Sequence, residues 1–257
     1  MVGEGQRKAI FITGGGSGIG RAVAQRFAAS GWRIGLAGIH PGGLEETGAL
    51  LPEGCATTHI MDVRDVAAWE EELEVFTQES AGRLDVLFNN ADIALGGPLA
   101  ETGIDEIERI VAINFTGVVF GARIAYQYLA RTPGSCLLNT SSAAGLYGTS
   151  GAALYSATKF AVRGLTEALD GEWSDAGIKV RSLMPGFVDA PLLDSNENMR
   201  VRAVGLESSL VEEAAEKAWR AVHGDVVHTP VGKTARRMKF AARWLPGSIR
   251  RQMRRGL

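Results

Sequence analysis

Short apolar runs alternate along this chain with longer segments of helical period, and that alternation leaves few folds open. The runs fall at Ala9–Thr13, Arg33–Ala37, Thr57–Met61, Val86–Asn89, Ser135–Asn139, Val180–Met184 and Val226–Val231. Between them, helical spacing covers Ile19–Ala29, Gly43–Leu51, Val66–Ser80, Ile104–Ala130, Tyr155–Asp175 and Val211–Val222. A strand covered on both faces reads as a continuous apolar run, and a strand returned by a helix pairs in parallel. Such crossovers are right-handed, so the pattern predicts an α/β fold: a Rossmann-type, doubly wound parallel sheet of seven strands. With 257 residues, 46% hydrophobic and 22% charged, the chain suits a single domain, predicted over residues 1–232.

A net charge of −2 gives no overall attraction to nucleic acid or to an anionic membrane. The last residues differ from the rest. After Asp225 no acidic residue occurs, while Lys233, Arg236, Arg237, Lys239, Arg243, Arg250, Arg251, Arg254 and Arg255 do. Residues 233–257 therefore read as a basic amphipathic C-terminal extension, broken into two short helices at Pro246-Gly247. Its apolar residues, Phe240 and Trp244 among them, suit packing on a neighbouring subunit better than contact with a membrane surface. Cys55 and Cys136 belong to no CxxC cluster and read as free thiols. His40, His59, His223 and His228 are scattered, so no metal site is expected, and His59 reads as a core residue. The start lacks a signal-peptide apolar core, and no run approaches the ~18 apolar residues of a membrane span, so a cytoplasmic location is expected.

The segment Thr13-Gly14-Gly15-Gly16-Ser17-Gly18-Ile19-Gly20 leads from an apolar strand directly into an amphipathic helix. Glycines there allow the backbone to approach a pyrophosphate, and the helix start offers free N–H groups to it. Downstream come Asp62-Val63, Asn89-Asn90-Ala91, Asn114, Ser142, Tyr155-xxx-Lys159 and Pro185-Gly186, in that order. With Thr13-Gly14-xxx-Gly18-x-Gly20 at its head, the pattern resembles the short-chain dehydrogenase/reductase family over residues 8–231.

That resemblance implies an NAD(P)-dependent oxidoreductase that interconverts an alcohol and its ketone or aldehyde by hydride transfer. It implies cofactor contacts at Thr13, Gly14, Gly16, Ser17, Gly18, Ile19 and Gly20, then at Gly38 and Ile39 after the second strand. Asp62 and Val63 would hold the adenine, Asn89, Asn90 and Ala91 would brace the adenosine side, and Pro185, Gly186 and Val188 would meet the nicotinamide. Tyr155 and Lys159 would complete the cofactor contacts.

Tyr155 and Lys159, four residues apart, share one helix face. A phenol loses its proton only near pH ~10, and a neighbouring ammonium favours the phenolate, which makes Tyr155 the expected general acid/base. Ser142 follows a strand and is expected to hydrogen-bond the substrate oxygen as charge develops on it; Ser141 competes, but the family spacing to Tyr155 selects Ser142. Asn114 interrupts an apolar stretch and needs partners for its amide; in similar enzymes the matching Asn anchors a water that links to the catalytic Lys.

Three positions depart from the family pattern. Gly38 stands where NAD-preferring members carry Asp, which removes repulsion of a 2′-phosphate and tilts the expectation slightly to NADP. Ile39 and Ser17, however, occupy positions that are often basic in NADP enzymes, leaving His40 as the one partial charge. Asp92 replaces the Gly of Asn-Asn-Ala-Gly, tolerable if the turn needs left-handed backbone, and Ala190 replaces a Thr. All three are expected to bear on cofactor affinity and to leave Ser142, Tyr155 and Lys159 untouched.

Ala143, Ala144, Leu146, Tyr147 and a lid around Leu192–Val204 suggest an apolar secondary alcohol or ketone as the small-molecule substrate. Similar proteins assemble as homodimers or homotetramers through the long helices here placed at 104–130 and 155–175. A second reading is a nucleotide-binding regulatory protein of the same fold with little turnover; the intact Asn114, Ser142, Tyr155 and Lys159 argue against it.

Overall fold

The computed structural model describes residues 7–186, 208–245 and 247. Strands β1 (Ala9–Thr13), β2 (Arg33–Gly38), β3 (Ala56–Ile60), β4 (Val86–Asn89), β5 (Cys136–Thr140), β6 (Lys179–Pro185) and β7 (His228–Val231) fall within two residues of their expected bounds. They form one sheet in the order β3-β2-β1-β4-β5-β6-β7, and every neighbouring pair is parallel. From β1 the chain winds outward to β3, then returns to β4 and winds the other way to β7. The reversal leaves a crevice at the carboxyl ends of β1 and β4, where open α/β sheets bind ligands.

Among the described residues, eight α-helices cover the sheet: α1 (Gly18–Ala28), α2 (Pro41–Ala49), α3 (Val66–Glu79), α4 (Ile104–Val111), α5 (Gly117–Leu129), α6 (Ala153–Glu172), α7 (Ser208–His223) and α8 (Gly232–Trp244). Side chains alternate along a strand, so β1 feeds two cores. Ile10 and Ile12 join Phe27, Leu36, Phe88 and Leu138 on one face, with Ala214 and Ala218 of α7. Phe11 points the other way, into Trp69, Leu73, Phe76, Leu87 and Leu129. Trp32 and Trp219 close the first core, each edge-on to Phe27 with centroids 4.9 and 5.0 Å away.

The expected single helix over 104–130 is interrupted. Residues Ala112–Thr116 form a π-turn between α4 and α5. The apolar period runs through this stretch unbroken, but Asn114 turns its buried amide inward to bond the backbone of Ile93. The wider turn accommodates that bond, and such bulges gather at functional sites. Contrary to expectation, the 26-residue stretch Ile104–Leu129 is long and apolar enough for a membrane span, with a mean hydropathy of 1.3 over an 18-residue window within it. Their apolar character follows from burial: Val118, Ala122, Ala125 and Leu129 pack within the protein, the last three on the sheet.

Helix α8 runs on directly from β7, with Ala235 buried beneath it and Lys239 bonding the carbonyl of His228 at 3.0 Å. Phe240 and Trp244 on its outer side are exposed. The expected break at Pro246-Gly247 and the expected lid over 192–204 lie wholly or partly outside the described residues.

Candidate active site

The glycine turn occupies the crevice between β1 and β4. Gly14 and Gly18 adopt φ of +65° and +50°, the left-handed region that an L side chain rarely enters. A Cβ on Gly18 would meet nothing within 4 Å, so the outer side of the turn is open. Ser17, the N-cap of α1, has extended backbone and makes no side-chain cap, and the first turn holds no acidic residue. The first N–H groups of an 11-residue helix thus lack a side-chain cap, as phosphate binding requires. Ile19 packs on the core beneath the turn. Gly16 is held by Arg21, whose guanidinium donates to its carbonyl at 2.7 Å and pairs with Glu46 at 2.9 Å. Sequence reasoning missed Arg21, because two of its three partners, Glu46 and Thr47, come from α2.

Thr13 serves the turn from inside. Its hydroxyl accepts from the N–H groups of Asn90 and Ala91 at 2.9 and 3.0 Å. The Asn90 amide returns a bond to the Thr13 carbonyl at 3.0 Å. Asn89 is buried and donates to Asn139 at 3.1 Å and to the Val118 carbonyl at 3.3 Å, tying β4 to β5 and α5. Gly38 ends β2, followed by an exposed Ile39. The Asp62 carboxylate faces Arg64, at 2.6 Å in the shortest contact, and that guanidinium holds its carboxyl below the usual range. Val63 is buried, its carbonyl accepting from Trp69. Pro185 closes β6, and Gly186 donates to the Val231 carbonyl at 3.0 Å. Val188 and Ala190 lie outside the described residues.

Beside the turn stand the candidate catalytic residues. Tyr155 and Lys159 lie on the inner face of α6, and both are buried. Ser142 caps the short helical turn after β5; its hydroxyl accepts from the Ala144 N–H at 3.1 Å and donates to the Pro185 carbonyl at 3.4 Å. Ser141 instead donates to the Lys159 carbonyl at 3.0 Å, a structural bond that leaves Ser142 as the serine beside the phenol. The Lys159 ammonium donates to the Thr140 carbonyl at 3.0 Å and sits 5.3 Å from the Tyr155 ring centre. Asn114 accepts from the Ile93 N–H at 2.9 Å and donates to its carbonyl at 2.8 Å, so protein groups satisfy both ends of the amide.

Two expectations about Asp92 are corrected. Its backbone is not left-handed: among the described non-glycine residues only Ala81 has positive φ. Nor does it leave the catalytic residues untouched. Its carboxylate oxygen lies 2.9 Å from the Lys159 ammonium and accepts from the Tyr155 hydroxyl at 3.2 Å. Burial pushes the Tyr155 phenol well above its ordinary pKa, Asp92 acts in the same sense, and the Ser142 hydroxyl opposes both.

A glycine turn at the switch point, facing a buried Tyr–Lys pair, defines a dinucleotide-binding α/β oxidoreductase. The model of the short chain dehydrogenase family matches residues 8–201, and the chain belongs to that family. It is similar to meso-2,3-butanediol dehydrogenase of Serratia marcescens, 39% identical over 181 residues that cover 70% of this chain and 71% of that one. It is also similar to levodione reductase of Leifsonia aquatica, 32% identical over 194 residues, or 74% and 72% of the two chains. Among solved structures, a short chain dehydrogenase/reductase of Burkholderia phymatum in complex with NAD matches with a TM-score of 0.80 at 25% identity. That match covers 98% of this chain and 97% of the other.

Proposed function

We propose that this protein interconverts a small secondary alcohol and its ketone, with Tyr155 as the general acid/base. The reading is carried by the convergence of Tyr155, Ser142 and Lys159 beside the open glycine turn. When bound, the nicotinamide supplies or accepts the hydride. The uncapped start of α1 and the bare turn fit its pyrophosphate, and Gly38 presents no carboxylate to a 2′-phosphate, which favours NADP slightly. The Ser142 hydroxyl orients the substrate oxygen and answers the charge that develops on it. Tyr155 donates the proton to that oxygen in reduction and removes it in oxidation, with the buried Lys159 ammonium 5.3 Å from its ring centre. Leu95, Ile110, Ala144 and Ala152 pack around Tyr155, an apolar lining that suits a compact substrate with a single polar anchor. The similarity to a diol dehydrogenase and a diketone reductase supports substrates of that size.

The test is the absorbance of reduced nicotinamide with NADH and NADPH against a panel of small ketones, diketones and diols. Turnover with at least one of them is expected; silence across the panel despite measurable cofactor binding would refute the proposal. A homo-oligomer belongs to the same reading. A groove of about 530 Å³ on α5 and α6, lined by Val119, Ala122, Tyr126, Leu165 and Trp173, offers the packing surface. Sedimentation of the purified protein as a monomer would contradict that part.

A further inference from the structure

The acidic residue at position 92 contacts both functional groups of the Tyr155–Lys159 pair through a single oxygen. Its second oxygen, Oδ1, is buried without a hydrogen-bond partner among the described residues. The placement is fixed from below, because Asn114 in the π-turn grips both polar groups of the Ile93 backbone, the residue that follows. The carboxylate is therefore held in the centre rather than swinging at its edge.

We propose that Asp92 is a second charged member of the catalytic centre, whose carboxylate cancels the Lys159 ammonium at the Tyr155 hydroxyl and keeps that hydroxyl protonated. The inference rests on the reading of Tyr155 as the acid/base and adds the residue that sets its working pH.

The electrostatics around the phenol are simple. From the loop after β4 comes the Asp92 carboxylate, and from α6 itself the Lys159 ammonium. The segment after β5 supplies the neutral Ser142 hydroxyl and the Thr140 carbonyl, and the π-turn supplies the neutral Asn114 amide. An ammonium alone would draw the phenol toward ionisation. With a carboxylate bound to the same ammonium, the positive field at the phenol oxygen is largely removed, and the carboxylate further disfavours a second negative charge within hydrogen-bond distance. Burial raises the Asp92 carboxyl, while the Lys159 ammonium at 2.9 Å and the Tyr155 hydroxyl at 3.2 Å act the other way, both contacts favouring the carboxylate form. Reduction consumes the protonated phenol, which this arrangement supplies across the neutral range. Oxidation requires the phenolate, so its rate climbs with pH over a range extending well above neutrality.

The experiment compares wild type, Asp92→Asn and Asp92→Gly by ultraviolet titration of phenolate without cofactor, with Tyr155→Phe subtracted to isolate residue 155. Removing the carboxylate is expected to lower the Tyr155 midpoint by one pH unit or more. The rising limb of alcohol oxidation should shift by the same amount, about tenfold in rate at a fixed pH on that limb. Circular dichroism establishes that the variants fold, and Asp92→Gly serves where Asp92→Asn does not. An unchanged midpoint in the folded variant overturns the role of Asp92, whatever the enzyme turns over. A lowered midpoint with no turnover on any alcohol instead upholds that role and overturns the proposed function.

Discussion

Gly20 packs its bare α-carbon against the carbonyl of Gly14, so close that a Cβ there would overlap the oxygen. The contact folds the start of α1 back over the end of β1 and shapes the turn for phosphate. Because the obstacle is backbone rather than a flexible side chain, Gly20→Ala must open the turn. A loss of nucleotide affinity of about tenfold or more is expected, with a stability cost of roughly 1–3 kcal/mol. Fluorescence titration with NADH and NADPH, alongside urea unfolding, measures both.

Cofactor choice turns on Gly38 at the end of β2. Gly38→Asp would place a carboxylate where a ribose hydroxyl can bond it and a 2′-phosphate cannot approach. The ratio of kcat/KM for NAD over NADP should rise by about tenfold or more, the effect of ~1.4 kcal/mol of repulsion. An unchanged ratio would mean that the ribose lies elsewhere.

His228 on β7 bridges Ser182 and Glu167, with both ring nitrogens at 2.8 Å from their partners. In the neutral ring, Nε2 donates to the Glu167 carboxylate and Nδ1 accepts from the Ser182 hydroxyl. Burial holds the His228 pKa below its ordinary 6.5, with Glu167 opposing. A depressed pKa in the folded state means the neutral ring stabilises the fold fully above about pH 6.5, and this contribution fades as pH falls through the lower folded value. Urea unfolding is therefore expected to show a loss of stability from this group as pH falls below about 6.5, and His228→Gln should flatten that part of the profile.

The inner strands were legible because their apolar runs carry the signal of double-sided burial, complete in β1, β4 and β5, whereas the edge strands β3 and β7 are only partly buried. The glycine turn was legible because its spacing leaves one geometry. The π-turn was not: helical period passes through Ile113 and Phe115 without a break, and only the inward bond from Asn114 to Ile93 reveals the bulge. Asp92 was read as a turn residue with consequences for the cofactor alone. Its contact with Tyr155 spans 63 residues and depends on the path of the loop after β4, which no local pattern encodes. The tail was legible in charge but not in continuity, since nothing in its composition announces that Ala235 is buried just after β7.

The most direct test is Tyr155→Phe, which removes one oxygen from a buried ring and leaves the glycine turn intact. Turnover of any alcohol or ketone accepted by the wild type should fall by about 10²–10⁴-fold, with NADH and NADPH affinities unchanged within a few-fold. A variant that turns over at the wild-type rate would contradict the assignment of Tyr155 as the group that moves the proton.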